Sequence, residues 1–405
     1  MQRTFICVDR ENTKTADSFS HSLFRFKMTR KLAYPAFCKS IRCLFIHNQH
    51  KAKGSNGRGF ISVSPQYFYP QFCMLAFRCI TRTACSSLAR PISYYASNPS
   101  ECFFLFLRAG LVSTEWVFNR LGSVKILDTT RHITPKKNAK TEFMTVFLFI
   151  VTYIQKRLPN AQYLDLLQLC TAQGPLLKTL PTEAQFKEAM ETLGISDTDD
   201  IVLYDSQGLY SSARVWFMFQ VFNRNARVHI MNGGITRWET EKYPIETGPA
   251  KTCEKRGSFN IDENFNIVCS LADVKQRVKD YENGITKRSV VDMRRDCCFH
   301  GTCRVPIAGI PKGHIPGAVN VPFHYLTDPY NNYMIRNPTE LRAIFEKHGV
   351  IIGEPEKMIF SCDYGLSACV GLFAMHLLGR PLDSCAVFDG SWIEYALDKD
   401  TKKEL

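Results

Sequence analysis

The chain has 405 residues and a hydrophobic fraction of 45%, which is enough for two ordinary domains with buried cores and some additional sequence. Its net charge of +13 is concentrated at one end, because residues 1–108 contain 16 Lys and Arg against 4 Asp and Glu, whereas the remainder contains 35 against 34. The nearly neutral main body argues against a basic nucleic-acid-binding face, and we expect no nucleic-acid partner.

Residues 1–108 form a distinct basic N-terminal extension. They carry 7 of the 16 cysteines, contain Arg and Ser with few acidic residues, and show no sustained periodicity. This composition is typical of an organelle-targeting presequence. A disordered lineage-specific extension, or sequence that is not part of the mature protein, remain open alternatives. Met1 is followed by polar and charged residues rather than by an apolar signal sequence, so we expect a mitochondrial or cytoplasmic location.

Two apolar runs, Cys102 to Val112 and Phe143 to Tyr153, are shorter than the ~20 residues that a membrane-spanning helix needs. We therefore expect no membrane association. The second run falls where a polar loop or helix is expected. It is interpreted as an extra strand, a core helix or an insertion. The cysteines lack the regular spacing of a disulfide framework, which favours reduced thiols in an intracellular protein.

The sequence from about residue 111 onward is a duplication. Three pairs of landmark residues are separated by the same 157 positions: Pro159 and Pro316, Pro181 and Pro338, Gly233 and Gly390. A period of this length is the size of a domain, and it is too long for a solenoid repeat. We expect a first domain at 111–248, a polar linker at 249–264 and a second domain at 265–405.

Within each repeat, short apolar runs alternate with helical patterns. This indicates an α/β fold of two tandem domains, each a parallel sheet flanked by helices. The strands expected in the second repeat are Val290–Met293, Ala318–Val321, Met358–Ser361 and Ala386–Phe388. Asn337, Pro338 and Glu340 have the order of a capped helix start. A further helix follows Cys362 and ends at Gly379.

Cys362 occupies the turn between the strand that ends at Ser361 and the helix that begins near Gly365. The position 157 residues earlier is Asp205, so only the second repeat carries a nucleophile there. Backbone N–H groups at such a turn and the positive end of the helix dipole would stabilise a thiolate. Gly365 would let the backbone curl around the sulfur, and the Ser367 hydroxyl would donate to it. The alternative is a core cysteine without a chemical role.

Several motifs resemble those of the rhodanese family, over about residues 111 to 396. In the second repeat these are Gly313-His314-Ile315-Pro316-Gly317-Ala318, the Cys-x-x-Gly-x-Ser loop and Phe388-Asp389-Gly390-Ser391-Trp392. In the first repeat they are Arg214-Val215-Trp216 and Asn232-Gly233-Gly234. The resemblance is greatest to the two-domain 3-mercaptopyruvate and thiosulfate sulfurtransferases.

The resemblance implies an inactive first domain and a catalytic second domain in which Cys362 carries a persulfide. Sulfur would pass from a small donor of the 3-mercaptopyruvate or thiosulfate class to a thiol, cyanide or thioredoxin-like acceptor, and no cofactor is expected. The residues expected to contact the donor are Asp363, Tyr364, Gly365, Leu366, Ser367, Arg294 and Arg304.

The chain departs from the family at the positions that recognise the donor. Asp363-Tyr364 stands where the mercaptopyruvate enzymes usually have Gly-Ser and the thiosulfate enzymes Arg-Lys. The family's two donor-binding arginines align with Cys298 and Ile307, although Arg294, Arg295 and Arg304 lie nearby. The family's Asp, His and Ser around the donor align with Leu167, Lys178 and Tyr364. Unless an arginine pairs with it, the Asp363 charge would repel an anionic donor. We therefore expect weak activity with these donors, and another sulfur donor or a persulfide relay stays open.

A second cluster of chemical residues is formed by Cys297, Cys298, His300 and Cys303. Adjacent cysteines seldom bind one ion together, and there is no separate second ligand pair, so a metal site is not expected. These thiols are expected in a loop near the pocket mouth, either redox-sensitive or inert. Cys369 is expected in the core, and a role as resolving thiol stays open.

Two other functions compete with sulfur transfer. A phosphatase of the same scaffold would need a longer loop, or an arginine six residues after the cysteine, where this chain has Ala368. A phosphatase is therefore disfavoured. A regulatory or binding protein of the rhodanese type, with weak or no catalysis, remains open because the donor-binding positions have changed.

Overall fold

The structure is a computed structural model that describes residues 110–131, 156–173, 176–249, 253–303 and 309–405. The side chains of residues 171–178 are not described. The predictions for residues 1–108, for the run Phe143 to Tyr153 and for Arg304 lie outside the described residues. No helix within the described ranges is long and apolar enough to cross a bilayer.

The first domain alternates strands and helices. Its strands are β1 (Leu111–Val112), β2 (Lys125–Asp128), β3 (Gln162–Tyr163), β4 (Thr171–Gln173), β5 (Leu176–Thr179), β6 (Asp200–Tyr204) and β7 (Arg227–Met231). Its helices are α1 (Thr114–Phe118), α2 (Leu166–Leu169), α3 (Glu183–Thr192), α4 (Ser212–Phe222) and α5 (Gly234–Thr240). Five strands form a parallel sheet in the order β3-β2-β6-β7-β1, and β4 and β5 form a separate antiparallel pair.

The second domain repeats this plan. Its strands are β8 (Val268–Cys269), β9 (Val291–Asp292), β10 (Val319–Asn320), β11 (Thr327–Asp328), β12 (Met334–Ile335), β13 (Met358–Ser361) and β14 (Cys385–Phe388). Its helices are α6 (Leu271–Glu282), α7 (Asp296–Phe299), α8 (Pro338–Lys347), α9 (Leu366–Leu377) and α10 (Ser391–Leu397). The parallel sheet has the order β10-β9-β13-β14-β8, which matches the first sheet strand for strand.

The expected elements of the second repeat are present with small changes at their ends. β13 has the expected bounds, β14 begins one residue earlier, and β9 and β10 are two residues shorter than expected. Asn337 caps α8 with Pro338 in its first turn, and the side chain of Glu340 bonds back to the backbone of Asn337. The predicted helix after Cys362 is α9, and burial of its Leu, Val, Phe and Ala side chains places it in the core.

The two domains share a buried interface built around α4 and α9. Trp216 of α4 and Phe373 of α9 meet edge to face, with ring centroids 4.8 Å apart. These two residues are themselves 157 positions apart, so the helices meet at equivalent points, as expected for two copies related by an approximate two-fold axis. This interface brings first-domain side chains next to the second-domain loop that contains Cys362.

The expected polar linker packs against the first domain over its described part. Phe259 is completely buried, and its ring lies 5.8 Å from that of Phe186 and 5.9 Å from that of Phe219. The chain from 253 to 264 therefore extends the first-domain core before it enters the second domain. The domain bounds given above remain predictions.

Candidate active site

Cys362 lies at the carboxyl end of β13, in the turn that leads into α9. Gly365 caps α9 with a φ of 80°, and a Cβ atom at this position would lie only 2.7 Å from the carbonyl oxygen of Asp389. The turn therefore needs glycine both for its backbone conformation and for its close packing. The carboxyl ends of parallel strands are where α/β proteins place their reactive groups, and Cys362 is 2% exposed there.

Ser391 holds the loop around Cys362 through hydrogen bonds, a role that the sequence did not predict. Its Oγ accepts hydrogen bonds from the amides of Cys362, at 3.0 Å, and Gly365, at 3.2 Å. The same hydroxyl donates to the carbonyl oxygen of Phe388 at 2.7 Å and lies 4.0 Å from Cys362 Sγ. Since the single hydroxyl proton is used by Phe388, its contact with the sulfur is weak.

The expectation that backbone amides and Ser367 surround the Cys362 sulfur is not met in this state. Among the residues that the structure describes, no amide and no Ser367 hydroxyl donates to Sγ, and the amides of Cys362 and Gly365 bond Ser391 instead. Ser391 has a φ of 51°, which is uncommon for a residue with a side chain. Its hydroxyl contacts offset that strain.

The first domain shows the same turn filled by a carboxylate. Asp205 is 1% exposed, and its carboxylate accepts from the amide of Gln207 and from the amides and hydroxyls of Ser211 and Ser212, at 2.9 to 3.3 Å. At the position that matches Ser391 stands Gly234, with a φ of 53°. Both turns contain a glycine with positive φ, Gly208 and Gly365, but α4 begins three residues later after its turn than α9 does, and the two turns hold different groups.

Arg214 connects the first domain to the loop that contains Cys362. Its side chain is fully buried, and it donates to the Gly365 carbonyl oxygen at 3.3 Å and to Asp389 Oδ1 at 2.6 Å. The other Asp389 oxygen accepts from the amide of Leu180, also in the first domain, at 2.7 Å. Burial lowers the pKa of Arg214, but the Asp389 carboxylate, together with the nearby thiols of Cys369 and Cys170, raises it overall, so the guanidinium stays charged. A lone arginine within the apolar helix α4 was a signal for this role in the sequence.

A second group of first-domain residues lies beside Tyr364. The hydroxyls of Tyr210 and Tyr364 are hydrogen-bonded, and burial raises the pKa of both phenols. The guanidinium carbon of Arg131 lies 6.0 Å from the centre of the Tyr364 ring. Arg131 Nη1 is buried and has no hydrogen-bond partner among the described residues. This arginine was not a predicted site residue.

Arg294, an expected donor-binding residue, is engaged elsewhere. It is 3% exposed and donates to both carboxylate oxygens of Asp292, at 2.6 to 3.0 Å, and to the carbonyl oxygen of Gly313 at 2.9 Å. Burial lowers the pKa of Arg294, but Asp292 and, more weakly, Asp363 raise it overall. Arg294 thus supports the end of β9 and balances part of the Asp363 charge, and this geometry argues against a direct contact with a donor.

Three of the four residues in the second cysteine cluster do come together. The sulfur atoms of Cys297, Cys298 and Cys303 lie within 4.8 Å of one another, and those of Cys298 and Cys303 are 3.1 Å apart. Burial raises the pKa of Cys298, and the Cys303 thiol and the Asp363 carboxylate raise it further. Every cysteine in the described part of the chain is a free thiol.

The remaining candidates are structural. Cys369 is completely buried, and its thiol donates to the Gly365 carbonyl oxygen at 3.0 Å. Burial raises its pKa to about 12, against the smaller opposing influence of Arg214. His314 stacks on Phe299 with ring centroids 3.8 Å apart and contacts the carbonyl oxygen of that residue.

A cavity of about 440 Å³ lies near the amino end of β2, beside Lys125. Reactive groups of α/β proteins lie at the carboxyl ends of the strands, so this cavity is at the opposite edge of the sheet.

Comparison with known proteins agrees with this architecture, although no protein-family model matches the chain. The thiosulfate sulfurtransferase of Mus musculus is 32% identical over 300 residues, which covers 71% of this chain and 92% of that protein. The 3-mercaptopyruvate sulfurtransferase of Homo sapiens is 30% identical over 296 residues, covering 70% and 91%.

Among solved structures, Escherichia coli SseA, described as a 3-mercaptopyruvate sulfotransferase with the rhodanese fold, superposes with a TM-score of 0.59. It is 28% identical and covers 70% of this chain and 98% of its own. The expected fold and family are thereby confirmed: the chain is a sulfurtransferase, and it belongs to the rhodanese-fold family of thiosulfate and 3-mercaptopyruvate sulfurtransferases.

Proposed function

We propose that Cys362 takes a sulfur atom from a small anionic donor, carries it as a persulfide and passes it to a thiol, cyanide or thioredoxin-like acceptor. The observation that supports this most is the contrast between the two matching turns. Asp205 reaches the amides of its turn with oxygen atoms one bond beyond the γ position. The outer sulfur of a persulfide on Cys362 would extend to the same distance from the backbone.

A persulfide on Cys362 would therefore extend one bond further from the backbone than the resting thiol does. In the first half-reaction the Cys362 thiolate attacks the outer sulfur of the donor. The bond from that sulfur to the rest of the donor breaks, and its electron pair leaves with pyruvate enolate from 3-mercaptopyruvate or with sulfite from thiosulfate. In the second half-reaction the acceptor attacks the outer sulfur and Cys362 leaves as a thiolate. These two donors are the ones named for the mouse and human relatives.

The donor would approach past Asp363 and Tyr364, which are half-buried, whereas Cys362 behind them is 2% exposed. Of the arginines near this loop, Arg294 is bound to Asp292 and Arg214 to Asp389. Arg131, from the first domain, has a buried Nη1 with no partner among the described residues. We propose that Arg131 contributes the positive charge that holds the donor's anionic group, and that the changed surroundings make turnover of the two family donors slow.

The experiment compares thiosulfate, 3-mercaptopyruvate and a low-molecular-weight persulfide as donors to the full chain, with cyanide as acceptor. The proposal expects turnover that depends wholly on Cys362, with the persulfide faster than the other two. Turnover of 3-mercaptopyruvate at the rate of ordinary enzymes, about 10 s⁻¹, would contradict the slow-donor part. Equal rates for wild type and Cys362→Ser would contradict the role of Cys362.

The same family proposal extends to location. One relative, from Arabidopsis thaliana, is named as mitochondrial, and residues 1–108 are rich in basic residues. We propose a mitochondrial or cytoplasmic location. Microscopy of a fluorescent protein fused to the end of residues 1–108 would distinguish the two locations.

A further inference from the structure

A pair of thiols beside the catalytic loop has no part in the transfer reaction described above. The sulfur atoms of Cys298 and Cys303 are 3.1 Å apart, and both residues are half-buried free thiols. A disulfide bond is about 2.05 Å long, so a closure of only about 1 Å would bring the two sulfur atoms to bonding distance. A pair this close can form a disulfide when an oxidant, such as a transferred sulfur atom, takes up two electrons.

The strand order places this dithiol and Cys362 at the same edge of the second sheet. β9 and β13 are neighbouring parallel strands in which Asp292 pairs with Ser361, and the Met293 amide donates to the Ser361 carbonyl oxygen at 2.8 Å. Cys362 follows the end of β13, and α7, which contains Cys298, follows the end of β9. Both sulfur-bearing segments therefore leave the same edge of the sheet from adjacent strands.

Electrostatic contacts show which side of the loop the dithiol adjoins. The Asp363 carboxylate, directly after Cys362 in the chain, lies close enough to Cys298 to oppose ionisation of its thiol. The buried Arg294 guanidinium interacts with both Asp363 and Cys298. The dithiol is also more exposed than Cys362, so sulfur that moves from Cys362 to the dithiol would move toward solvent.

We propose that the dithiol of Cys298 and Cys303 is a built-in acceptor for the sulfur carried by Cys362, and that its oxidation releases hydrosulfide. This proposal rests on the persulfide function proposed above and names the acceptor for it. A chain of this kind completes one sulfur transfer without an external thiol. It then needs an external reductant to restore the dithiol.

The chemistry balances in two exchange steps. The Cys303 thiolate attacks the outer sulfur of the Cys362 persulfide, the persulfide bond breaks, and its electron pair remains on Cys362 as a thiolate. The Cys298 thiolate then attacks Sγ of Cys303, a disulfide forms, and hydrosulfide leaves with the electron pair of the broken bond. The two thiols lose two protons and two electrons, and the transferred sulfur takes up both electrons.

The test exposes the full chain to thiosulfate, which is not a thiol, in the absence of any reductant. Wild-type protein should release about one hydrosulfide per chain in a single burst, as the two-step scheme requires, and peptide mapping should find Cys298 joined to Cys303. The variant Cys298→Ser/Cys303→Ser should keep one extra sulfur on Cys362 and release no hydrosulfide. The variant Cys253→Ser, which removes a free thiol in the linker segment, should behave as wild type.

Three results would overturn the proposal, and a fourth separates it from the proposed function. The first is a wild-type chain that keeps the sulfur on Cys362 without disulfide or hydrosulfide. The second is the same disulfide in Cys362→Ser, because the donor would then oxidise the dithiol directly. The third is zinc bound stoichiometrically by these cysteines in the purified protein, since they would then be ligands. If the double variant gains no sulfur on Cys362, the proposed function fails as well.

A dilution series completes the test. Transfer within one chain gives a rate per chain that does not change when the protein is diluted tenfold. A rate that falls in proportion to protein concentration would assign the disulfide to exchange between chains and would also overturn the proposal.

Discussion

The two turns at matching positions of the two domains show how one position of a repeated fold can hold a buried carboxylate in one copy and a thiol in the other. In the first domain Asp205 fills the turn and satisfies five donors from neighbouring residues. In the second domain, the amides of Cys362 and Gly365 donate to the hydroxyl of Ser391 and not to the side chain of Cys362. A turn whose donors are all satisfied by its own side chain is stable and closed.

The largest expected effect comes from removing the feature that distinguishes the second turn. Cys362→Ser should lower the rate of sulfur transfer by at least about 10³-fold, because a hydroxyl is neither ionised nor able to form a persulfide. Its free energy of unfolding should stay close to that of wild type, since the two side chains are similar in size. Steady-state assays and chemical denaturation measure both, and Cys253→Ser is the matched control. A large residual rate would place the nucleophile elsewhere.

The contribution of the first domain is tested by Arg214→Met. Loss of one partner of a buried ion pair costs about 3–5 kcal/mol of unfolding free energy. Displacement of the Gly365 loop should lower kcat by about 10- to 100-fold, with a smaller effect on KM. Asp389→Asn should resemble it, and the double variant should be less damaged than the sum of the two. A change in stability with kcat unaffected would confine Arg214 to a structural role.

Ser391 can be exchanged for the residue that the first domain uses at this position. Ser391→Gly relieves the φ of 51° but leaves the amides of Cys362 and Gly365 without their acceptor, so activity should fall by about tenfold. Ser391→Ala retains the backbone strain and also lacks the hydroxyl, and it should unfold about 1–2 kcal/mol more easily than the glycine variant. Denaturation midpoints test the order of stability of the two variants, and kcat values test the loss of activity. Equal activity of the wild type and both variants would refute the role of the Ser391 hydroxyl.

Replacement of Arg131 addresses donor recognition. Arg131→Met should raise the KM for an anionic donor by several-fold to several-hundred-fold, from a lost charge-assisted hydrogen bond of about 1.5–3 kcal/mol, and should change kcat less. High salt should weaken donor binding by the wild type, because it screens the Arg131 charge, and should leave donor binding by the variant unchanged. Arg120→Met, at an exposed first-domain arginine, is the control. Unchanged KM values for every donor would exclude Arg131 from the donor site.

The last comparison concerns the carboxylates at the ends of β2 and β9, which affect stability rather than sulfur transfer. Burial raises the pKa of Asp128 from 3.8 to about 6, although its hydrogen bonds to Thr130 and Tyr204 oppose the rise. The folded state therefore binds a proton that the unfolded chain has lost between pH 4 and 6. Its contribution to the free energy of unfolding, at most about 3 kcal/mol, should decline across this window and be gone above pH 6.

Asp128→Asn should remove that pH dependence, which denaturation at several pH values would detect. Asp292, the counterpart in the second domain, is paired with the buried Arg294, so Asp292→Asn should instead destabilise the protein at neutral pH. If Asp128→Asn retains the slope between pH 4 and 6, another group is responsible for it.

Much of the architecture could be predicted from the sequence because it follows from local patterns. Local signals that act within a few residues are the apolar run of β13, the capping residues of α8 and Gly365. Because the two repeats are separated by a constant 157 positions, the elements of one domain could also be assigned in the other. The position of Cys362 at the end of a strand followed directly.

The details of the site could not be predicted in the same way because they depend on contacts between distant parts of the chain. Arg214 is 151 residues from Gly365, which it contacts, and Ser391 is 29 residues from Cys362. Arg294 was expected to face a donor because it is close in sequence to the site, but its bonds to Asp292 direct it inward. Sequence proximity identifies which residues are near a site, and only packing decides where their charges point.

The most direct test of the central claim is the mass of the peptide that contains Cys362 after brief exposure to a sulfur donor. The variant Cys298→Ser/Cys303→Ser is suited to it, because the neighbouring dithiol can no longer remove the sulfur. One sulfur atom should be added to Cys362 and none to the buried thiols of Cys369 and Cys385. Sulfur on other cysteines with Cys362 unmodified would show that Cys362 is not the sulfur carrier.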